Sequence, residues 1–138
     1  LTDLNQLPFA DNYFDAILSL ETLEHTPNPE IFLQELYRVL KPNKKLVMSL
    51  TPKTAEIPLK IYELFFKNHG EGPHAFMSSK NVKKILTITG FKLILHKGTL
   101  LVPAGPVILQ KIGEKLIERL QNTPLKELGI RQFYVCKK

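Results

Sequence analysis

Cysteine is almost absent from this 138-residue chain, which contains only Cys136. A single thiol cannot form an intrachain disulfide and does not signal a zinc cluster, so no metal site is predicted. Its position in a short apolar segment near the end of the chain predicts a buried structural thiol. Long apolar runs are also lacking, and no segment has the uninterrupted hydrophobic length that a transmembrane helix needs.

The sequence has no secretory signal, internal repeat or low-complexity tract. Its composition, 43% hydrophobic and 23% charged residues, is that of an ordinary globular domain long enough to bury a core. We therefore expect a cytoplasmic protein. The net charge of +6 is spread over scattered lysines and arginines without a recognition motif, so nucleic-acid binding is not predicted.

Residues 14–40 have the pattern of a buried strand followed by an amphipathic helix. Phe14–Leu20 is an apolar run of strand length. Asn28 is a favourable N-cap, and Pro29 suits the first helical position, where its missing N–H is not needed. The apolar residues that follow recur at helical spacing and predict one buried face, made of Phe32, Leu33, Leu36, Val39 and Leu40.

A second strand is expected directly after this helix. Lys41 and Pro42 end the helical pattern, and Leu46–Leu50 is again an apolar run. A strand, a crossover helix and a second strand form a right-handed βαβ unit within a parallel sheet. The fold class is therefore α/β.

A helix and a strand are predicted after the central segment. Ser78 or Ser79 is expected to cap the helix, and Gly90 to end it. The strand has two alternating sets of residues, of which the second is expected on a wetter face: Phe91, Leu93 and Leu95 against Lys92, Ile94 and His96.

The last predicted elements are a basic amphipathic helix from Val107 to Leu120 and a short strand from Gln132 to Cys136. We expect the helix to pack onto the sheet with Leu109, Ile112, Leu116 and Leu120 on one side. Basic amphipathic helices can also lie on membranes, but the acids interleaved with these lysines argue against that location.

The phrases DLNQLPFADNYFDAI, LEH and LQELYRVLKP, in this order, resemble the second half of a class I S-adenosylmethionine (SAM)-dependent methyltransferase of the small-molecule type. The resemblance covers nearly all of the chain. It implies the C-terminal half of a Rossmann-like methyltransferase fold, with a mostly parallel sheet, a final antiparallel strand and flanking helices. Asn43 and Lys44 stand where the family usually has two glycines, and Asn tolerates a left-handed turn.

The same resemblance implies that the chain is an N-terminally truncated fragment that begins just before the fourth strand of the family. The glycine-rich loop that holds the methionine part of SAM is not found. One partial domain is expected, in which residues 1–52 end the cofactor-binding core and residues 53–78 form a substrate-side insertion or lid. Residues 79–138 supply the C-terminal strands and helices. Core packing or a dimer contact is the alternative for the apolar residues 56–67.

Four residues are predicted cofactor contacts by this resemblance. Asp3 corresponds to the acid that accepts a hydrogen bond from the adenine amino group, and the backbone N–H of Leu4 to the group that meets a ring nitrogen. A carboxylate suits this contact because it only accepts hydrogen bonds when ionised. Leu20 and Glu21 end the first strand, beside the reacting centre. A solvated turn acid is the alternative for Asp3.

The predicted substrate side consists of Glu24, His25, His69 and His74. Sites in open α/β sheets lie beyond the carboxyl ends of the strands, which is where Glu24 and His25 fall. His25 is the candidate general base, and the alternatives are that it tethers the turn or lines the pocket. Proximity and orientation alone often suffice for methyl transfer. Glu24 either orients His25 or is solvated, and we favour the solvated position.

The resemblance thus implies SAM-dependent methyl transfer to a small-molecule acceptor in the whole protein, with SAM as the cofactor and this chain alone inactive. The alternative is a non-catalytic interaction module or a pseudoenzyme. In that case the unpaired edge of the strand Phe14–Leu20 would pair with another chain or cause self-association.

Overall fold

The computed structural model describes residues 4–56, 76–99 and 107–138. These ranges leave out Asp3, His69, His74 and residues 57–67 of the predicted substrate-side insertion. The described helices and strands are, in chain order, β1 Phe14–Leu20, α1 Pro29–Val39, β2 Leu40–Leu50, α2 Ser79–Ile88, β3 Lys92–Thr99, α3 Val107–Arg119 and β4 Arg131–Lys137.

The described strands form one mixed sheet in the order β1-β2-β4-β3. β1 runs parallel to β2, and α1 connects them, as the βαβ pattern predicts. β4 is antiparallel to both β2 and β3, so β1, β2 and β3 share one direction. The predicted α/β architecture, with parallel strands and a final antiparallel one, is confirmed. Within the described residues, β1 is hydrogen-bonded on one side only.

The predicted caps are present. The Asn28 side chain accepts a hydrogen bond from the backbone N–H of Ile31 at 3.3 Å, and Pro29 is the first residue of α1. Ser78 caps α2 in the same way by accepting from the N–H of Asn81 at 3.3 Å. Gly90 follows α2 with a φ of +96°, a backbone conformation that glycine adopts without steric cost.

The junction between α1 and β2 is tighter than the sequence predicts. The helix ends at Val39, and β2 begins at Leu40 rather than Leu46, with an irregular register opposite the start of β1. Asn43 has a φ of +64° within this junction, which confirms the expected left-handed position. Lys41 contributes an ion pair to Asp15 at 2.7 Å, between their side-chain ends.

The main core lies where α1 and α2 pack on one face of the sheet. Its buried apolar side chains come from both helices, from β2 and β4, and from the residues that precede α1 and β3: Leu23, Phe32, Leu33, Leu36, Leu40, Leu46, Met48, Leu50, Val82, Leu86, Phe91, Tyr134 and Cys136. The prediction of a buried Cys136 is confirmed, and burial raises the pKa of its thiol to about 12.

His96 is buried, so its predicted position on a wetter face is wrong. The register of β3 shifts between Leu93 and Leu95, and this irregularity turns Leu95 outward and His96 inward. The His96 ring stacks on Tyr134 at 4.5 Å between centroids, and its Nε2 donates to Gln132 Oε1 at 2.8 Å. Burial lowers the pKa of His96, so the ring is held neutral.

The face predicted for α3 is also wrong. Gly113 and Ile117 are the buried residues of this helix, whereas Leu109, Ile112 and Leu116 are exposed. α3 contacts β3 and the short 3-10 turn Pro124–Leu128. Glycine at position 113 has no side chain to hold the helix away from its neighbours. The apolar residues that the periodicity assigns to the packed face therefore point outward.

None of the helices in the described ranges has the length and apolar character needed to cross a bilayer. Over the same ranges, no group of three or more histidine, cysteine, aspartate or glutamate side chains is arranged to hold a metal ion.

Candidate functional site

The carboxyl ends of β1 and β2 meet at one edge of the sheet, and Glu21 lies there directly after β1. Its backbone has a φ of +48°, and its N–H donates to the carbonyl oxygen of Ser49 at 3.0 Å. Glu21 Oε1 accepts from Ser49 Oγ at 2.6 Å and lies 3.2 Å from Nε of Arg131. Glu21 Oε2 accepts from Thr51 Oγ1 at 2.9 Å. The carboxylate is therefore fixed across the ends of three strands.

Glu24 lies in the 3-10 turn Leu23–His25 and is 3% exposed, so the predicted solvated position is wrong. The turn folds inward because Leu23 belongs to the main core. Glu24 Oε1 accepts from the backbone N–H of Thr51 at 3.2 Å. Glu24 Oε2 is enclosed and has no hydrogen-bond partner in the described part of the chain.

Thr51 brings the two carboxyl groups together. Its backbone N–H binds Glu24, and its hydroxyl binds Glu21. Burial raises the pKa of Glu24, and the neighbouring Glu21 raises it further. The site therefore holds one fixed carboxylate beside a buried carboxyl group whose pKa is raised above its ordinary value.

We predict that Glu24→Gln stabilises the chain near neutral pH. The folded pKa of Glu24 lies above its ordinary value of 4.5, so at pH values between the two the folded state holds a proton that the unfolded chain has released. The ionisable side chain of Glu24 therefore lowers the free energy of unfolding. This loss grows as the pH rises from 4.5 through the folded pKa. The glutamine cannot ionise, and its oxygen can still accept from Thr51.

Urea unfolding at a series of pH values tests this prediction. The gain in stability from Glu24→Gln is expected to be larger at about pH 7.5 than at about pH 4.5. Glu30→Gln, in the exposed first turn of α1, is the matched control and is expected to show no such trend. A gain that is independent of pH would contradict the raised pKa of Glu24.

The loop before β1 is fastened to α1 by one arginine. Arg38 donates to the carbonyl oxygens of Phe9 at 2.8 Å and Leu7 at 3.1 Å. Glu35 accepts from Arg38 Nε at 2.9 Å and from the backbone N–H of Leu7 at 3.0 Å. Arg38 holds the pKa of Glu35 below its ordinary value. This clamp positions the loop that carries Leu4, which is half-buried against the main core.

Sequence reasoning missed both the clamp and the residues that hold Glu21. Glu35 and Arg38 lie three residues apart on α1, which is a common spacing of surface ion pairs and gives no hint of the loop contacts. Thr51 had a usable signal, because it follows the strand next to β1 and parallel strands end at the same edge. Arg131 comes from a strand far along the chain, so only the tertiary structure assigns it to Glu21.

The remaining described site residues are more accessible to solvent. Leu20, the last residue of β1, is 50% exposed, and His25, at the end of the 3-10 turn, is exposed. The structure therefore brings Glu21 and Glu24 together through Thr51, with Leu20 and His25 on the accessible side of the strand end.

Comparisons with known proteins find methyltransferases both by sequence and by structure. Residues 1–48 match the family model described as a methyltransferase domain. An uncharacterized protein of Methanocaldococcus jannaschii is 33% identical over 138 residues, a match that covers 95% of this chain and 56% of that protein. The O-methyltransferase resE of Aspergillus sclerotiorum is 31% identical, over 89% of this chain and 50% of its own length. The chain thus spans about half the length of these curated relatives.

A solved structure supports the fold over a longer range. The SAM-dependent methyltransferase of Thermotoga maritima, described as a possible histamine N-methyltransferase, superposes with a TM-score of 0.69 at 19% identity. The match covers 98% of this chain and 61% of that one. At this identity the likeness bears on the fold, which is the Rossmann-like methyltransferase fold.

Proposed function

Because this chain belongs with the class I SAM-dependent methyltransferases, we propose that the whole protein transfers a methyl group from SAM to a small-molecule acceptor. The observation that supports this most directly is the carboxyl pair at the ends of β1 and β2. Glu24 Oε2 is buried beside the fixed carboxylate of Glu21 and has no hydrogen-bond partner in the part of the chain that the structure describes. Such a group at the carboxyl ends of parallel strands is typical of a ligand site in an open α/β sheet.

The described residues can contact the positively charged groups of SAM and its adenine. When bound, SAM supplies a methyl group on a positively charged sulfur atom, and it also carries an ammonium group. The fixed carboxylate of Glu21 favours a cation, and Glu24 Oε2, which has no partner among the described residues, could bind a donor on the ligand. The clamped loop holds Leu4 against the core, where its backbone N–H and the neighbouring Asp3 would contact adenine.

The roles of the remaining residues follow from their accessibility. Leu20 and Glu21 would border the cofactor, with the Glu21 carboxylate kept in place by its three partners. His25 is exposed at the end of the 3-10 turn, so an acceptor could reach its ring and release a proton to it. Glu24 also borders the proposed substrate side, which His69 and His74 complete. We propose that this chain alone has no methyl-transfer activity.

Titration of SAM and of its demethylated product into the isotopically labelled chain, followed by amide NMR, tests the cofactor site. We expect shifts at Leu4, Leu20, Glu21 and Glu24, and none in α2. Hydrogen bonds to charged groups contribute about 1.5–3 kcal/mol, so Glu24→Gln is expected to weaken SAM binding about tenfold or more.

Glu30→Gln again serves as the control, because it removes one carboxylate from the exposed start of α1. It is expected to leave the SAM-dependent shifts unchanged. Shifts confined to other surfaces, or equal weakening by both variants, would reject the assignment of the cofactor to the ends of β1 and β2. Incorporation of a labelled methyl group by this chain alone would reject the proposal that it is inactive.

A second candidate function is pairing through the free edge of β1. Leu18 and Leu20 are 67% and 50% exposed on this strand, and β1 is hydrogen-bonded only to β2 within the described residues. An apolar groove of about 250 Å³ lies beside it, lined by Leu7, Phe14, Ala16, Ile17, Leu18, Leu36 and Val39. An exposed apolar edge favours self-association or a companion chain. Dimers in size-exclusion chromatography, without SAM-dependent shifts, would favour this candidate.

A further inference from the structure

The outward face of α3 has no role in the proposed methyl transfer. Ile108, Ile112 and Leu116 follow one another at intervals of four residues, so they form a continuous row along the helix. Their side chains are 72%, 56% and 47% exposed. Single exposed apolar residues are ordinary on protein surfaces, whereas a continuous row marks an interaction surface. We call this row the apolar row.

A row of cations lies beside the apolar row. Lys111, Lys115 and Arg119 also follow one another at intervals of four residues, and the two lysines directly precede Ile112 and Leu116 in the sequence. The two rows are therefore neighbours on the helix surface, about 100° apart around its axis. Lys111, Lys115 and Arg119 are themselves exposed.

The acids of α3 border the cation row on the side away from the apolar row. Glu114 and Glu118 belong to the row that also contains Gln110, which is on the far side of the cation row from the apolar row. Glu118 is drawn toward the sheet, where its carboxylate lies 3.8 Å from Nζ of Lys97 on β3. Acids that interleave with lysines along the sequence are thus separated from the apolar row in space.

We propose that this face of α3 binds the surface of an anionic phospholipid membrane. The apolar row would enter the boundary between headgroups and acyl chains, and the cation row would contact lipid phosphates. The charge of the face selects this occupant. A second copy of the chain carries the same net charge of +6, so long-range repulsion would oppose its packing row against row. The net charge of +6 also attracts the whole chain to an anionic surface at long range.

The absence of tryptophan from the chain permits a clean test. Ile112→Trp places a single fluorophore in the apolar row, and Ile88→Trp places one on α2 at a matched exposure of 57%. With vesicles of phosphatidylserine and phosphatidylcholine, we expect a blue shift and loss of acrylamide quenching for Ile112→Trp only. Neither variant is expected to respond to vesicles of pure phosphatidylcholine.

Two paired variants separate the contribution of the cations from that of net charge. Lys111→Gln with Lys115→Gln removes two charges from the cation row. Lys80→Gln with Lys84→Gln removes two exposed charges at the same spacing from α2. Each lysine near an anionic surface raises the partition coefficient onto the membrane about fivefold. Loss of Lys111 and Lys115 should therefore weaken vesicle binding about twentyfold, whereas loss of Lys80 and Lys84 should not.

The apolar row needs its own variant, Ile108→Ser with Leu116→Ser. We expect it to abolish vesicle binding while the circular dichroism spectrum stays that of the parent, because both side chains are exposed. Equal weakening by the two lysine pairs, or binding that survives loss of the apolar row, would overturn the proposal in favour of nonspecific charge attraction. Concentration-dependent dimers that only the serine variant disrupts would overturn it in favour of a second copy of the chain.

Discussion

Leu33→Ala is expected to lower the free energy of unfolding by about 2–5 kcal/mol, the usual range for truncation of a fully buried leucine. Leu33 lies on α1 with none of its surface exposed, and it belongs to the core that α1 and α2 form on the sheet. Removal of its branched end leaves a cavity that the surrounding side chains fill only partly. Because a domain of this size has about 5–15 kcal/mol of stability, a large part of it would be lost.

Urea unfolding monitored by circular dichroism measures this loss as a lower midpoint with an unchanged slope. Ile31→Ala, two residues earlier on the same helix, is the matched control, because Ile31 is 39% exposed. It is expected to lower stability by less than about 1 kcal/mol. Equal losses for the two variants would contradict the assignment of Leu33 to the buried face of α1.

Gly98→Ala is expected to destabilise the chain by about 1–3 kcal/mol or more, although it adds only one methyl group. A Cβ atom at Gly98 would fall on the carbonyl oxygen of Lys126, which belongs to the 3-10 turn that packs against β3. It would also lie 3.0 Å from Nε2 of Gln132. The neighbour at Lys126 is backbone, so it cannot move aside by changing a rotamer.

The clash would also break existing hydrogen bonds. Gln132 Nε2 donates to the carbonyl oxygens of Lys126 at 3.1 Å and Gly129 at 2.8 Å, and a shift of the turn would separate these groups. Gln132 is fully buried, so a lost partner would not be replaced by water. Lys97→Ala, at the neighbouring half-buried position, is the control and should have a small effect. A Gly98→Ala variant as stable as this control would refute the close approach of the turn to β3.

The sequence alone was sufficient wherever the determining interaction is local. The cap at Asn28, the proline that follows it and the cap at Ser78 depend on contacts within one helical turn. The left-handed conformation of Asn43 depends on its own side chain and backbone. The order of strand, helix and strand over residues 14–50 then leaves few topologies, because parallel crossovers are right-handed.

The carboxyl pair shows how part of the site could be predicted and part could not. Glu21 and Glu24 follow β1, so the rule for strand ends was enough to select them. Their environment was not predictable, because Ser49 and Thr51 come from β2 and Arg131 from β4. The burial of Glu24 depends on Leu23, which draws the turn into the core.

What the sequence by itself determined is the fold class, the positions of most helix and strand ends, and the resemblance to class I methyltransferases. Only the tertiary structure decided which face of each element is buried. One irregular pairing step in β3 places His96 inside and Leu95 outside, and the close packing at Gly113 and Ile117 leaves Ile112 and Leu116 exposed. Periodicity fixes which residues share a face, whereas burial depends on the neighbours that this face meets, and these neighbours are distant in the sequence.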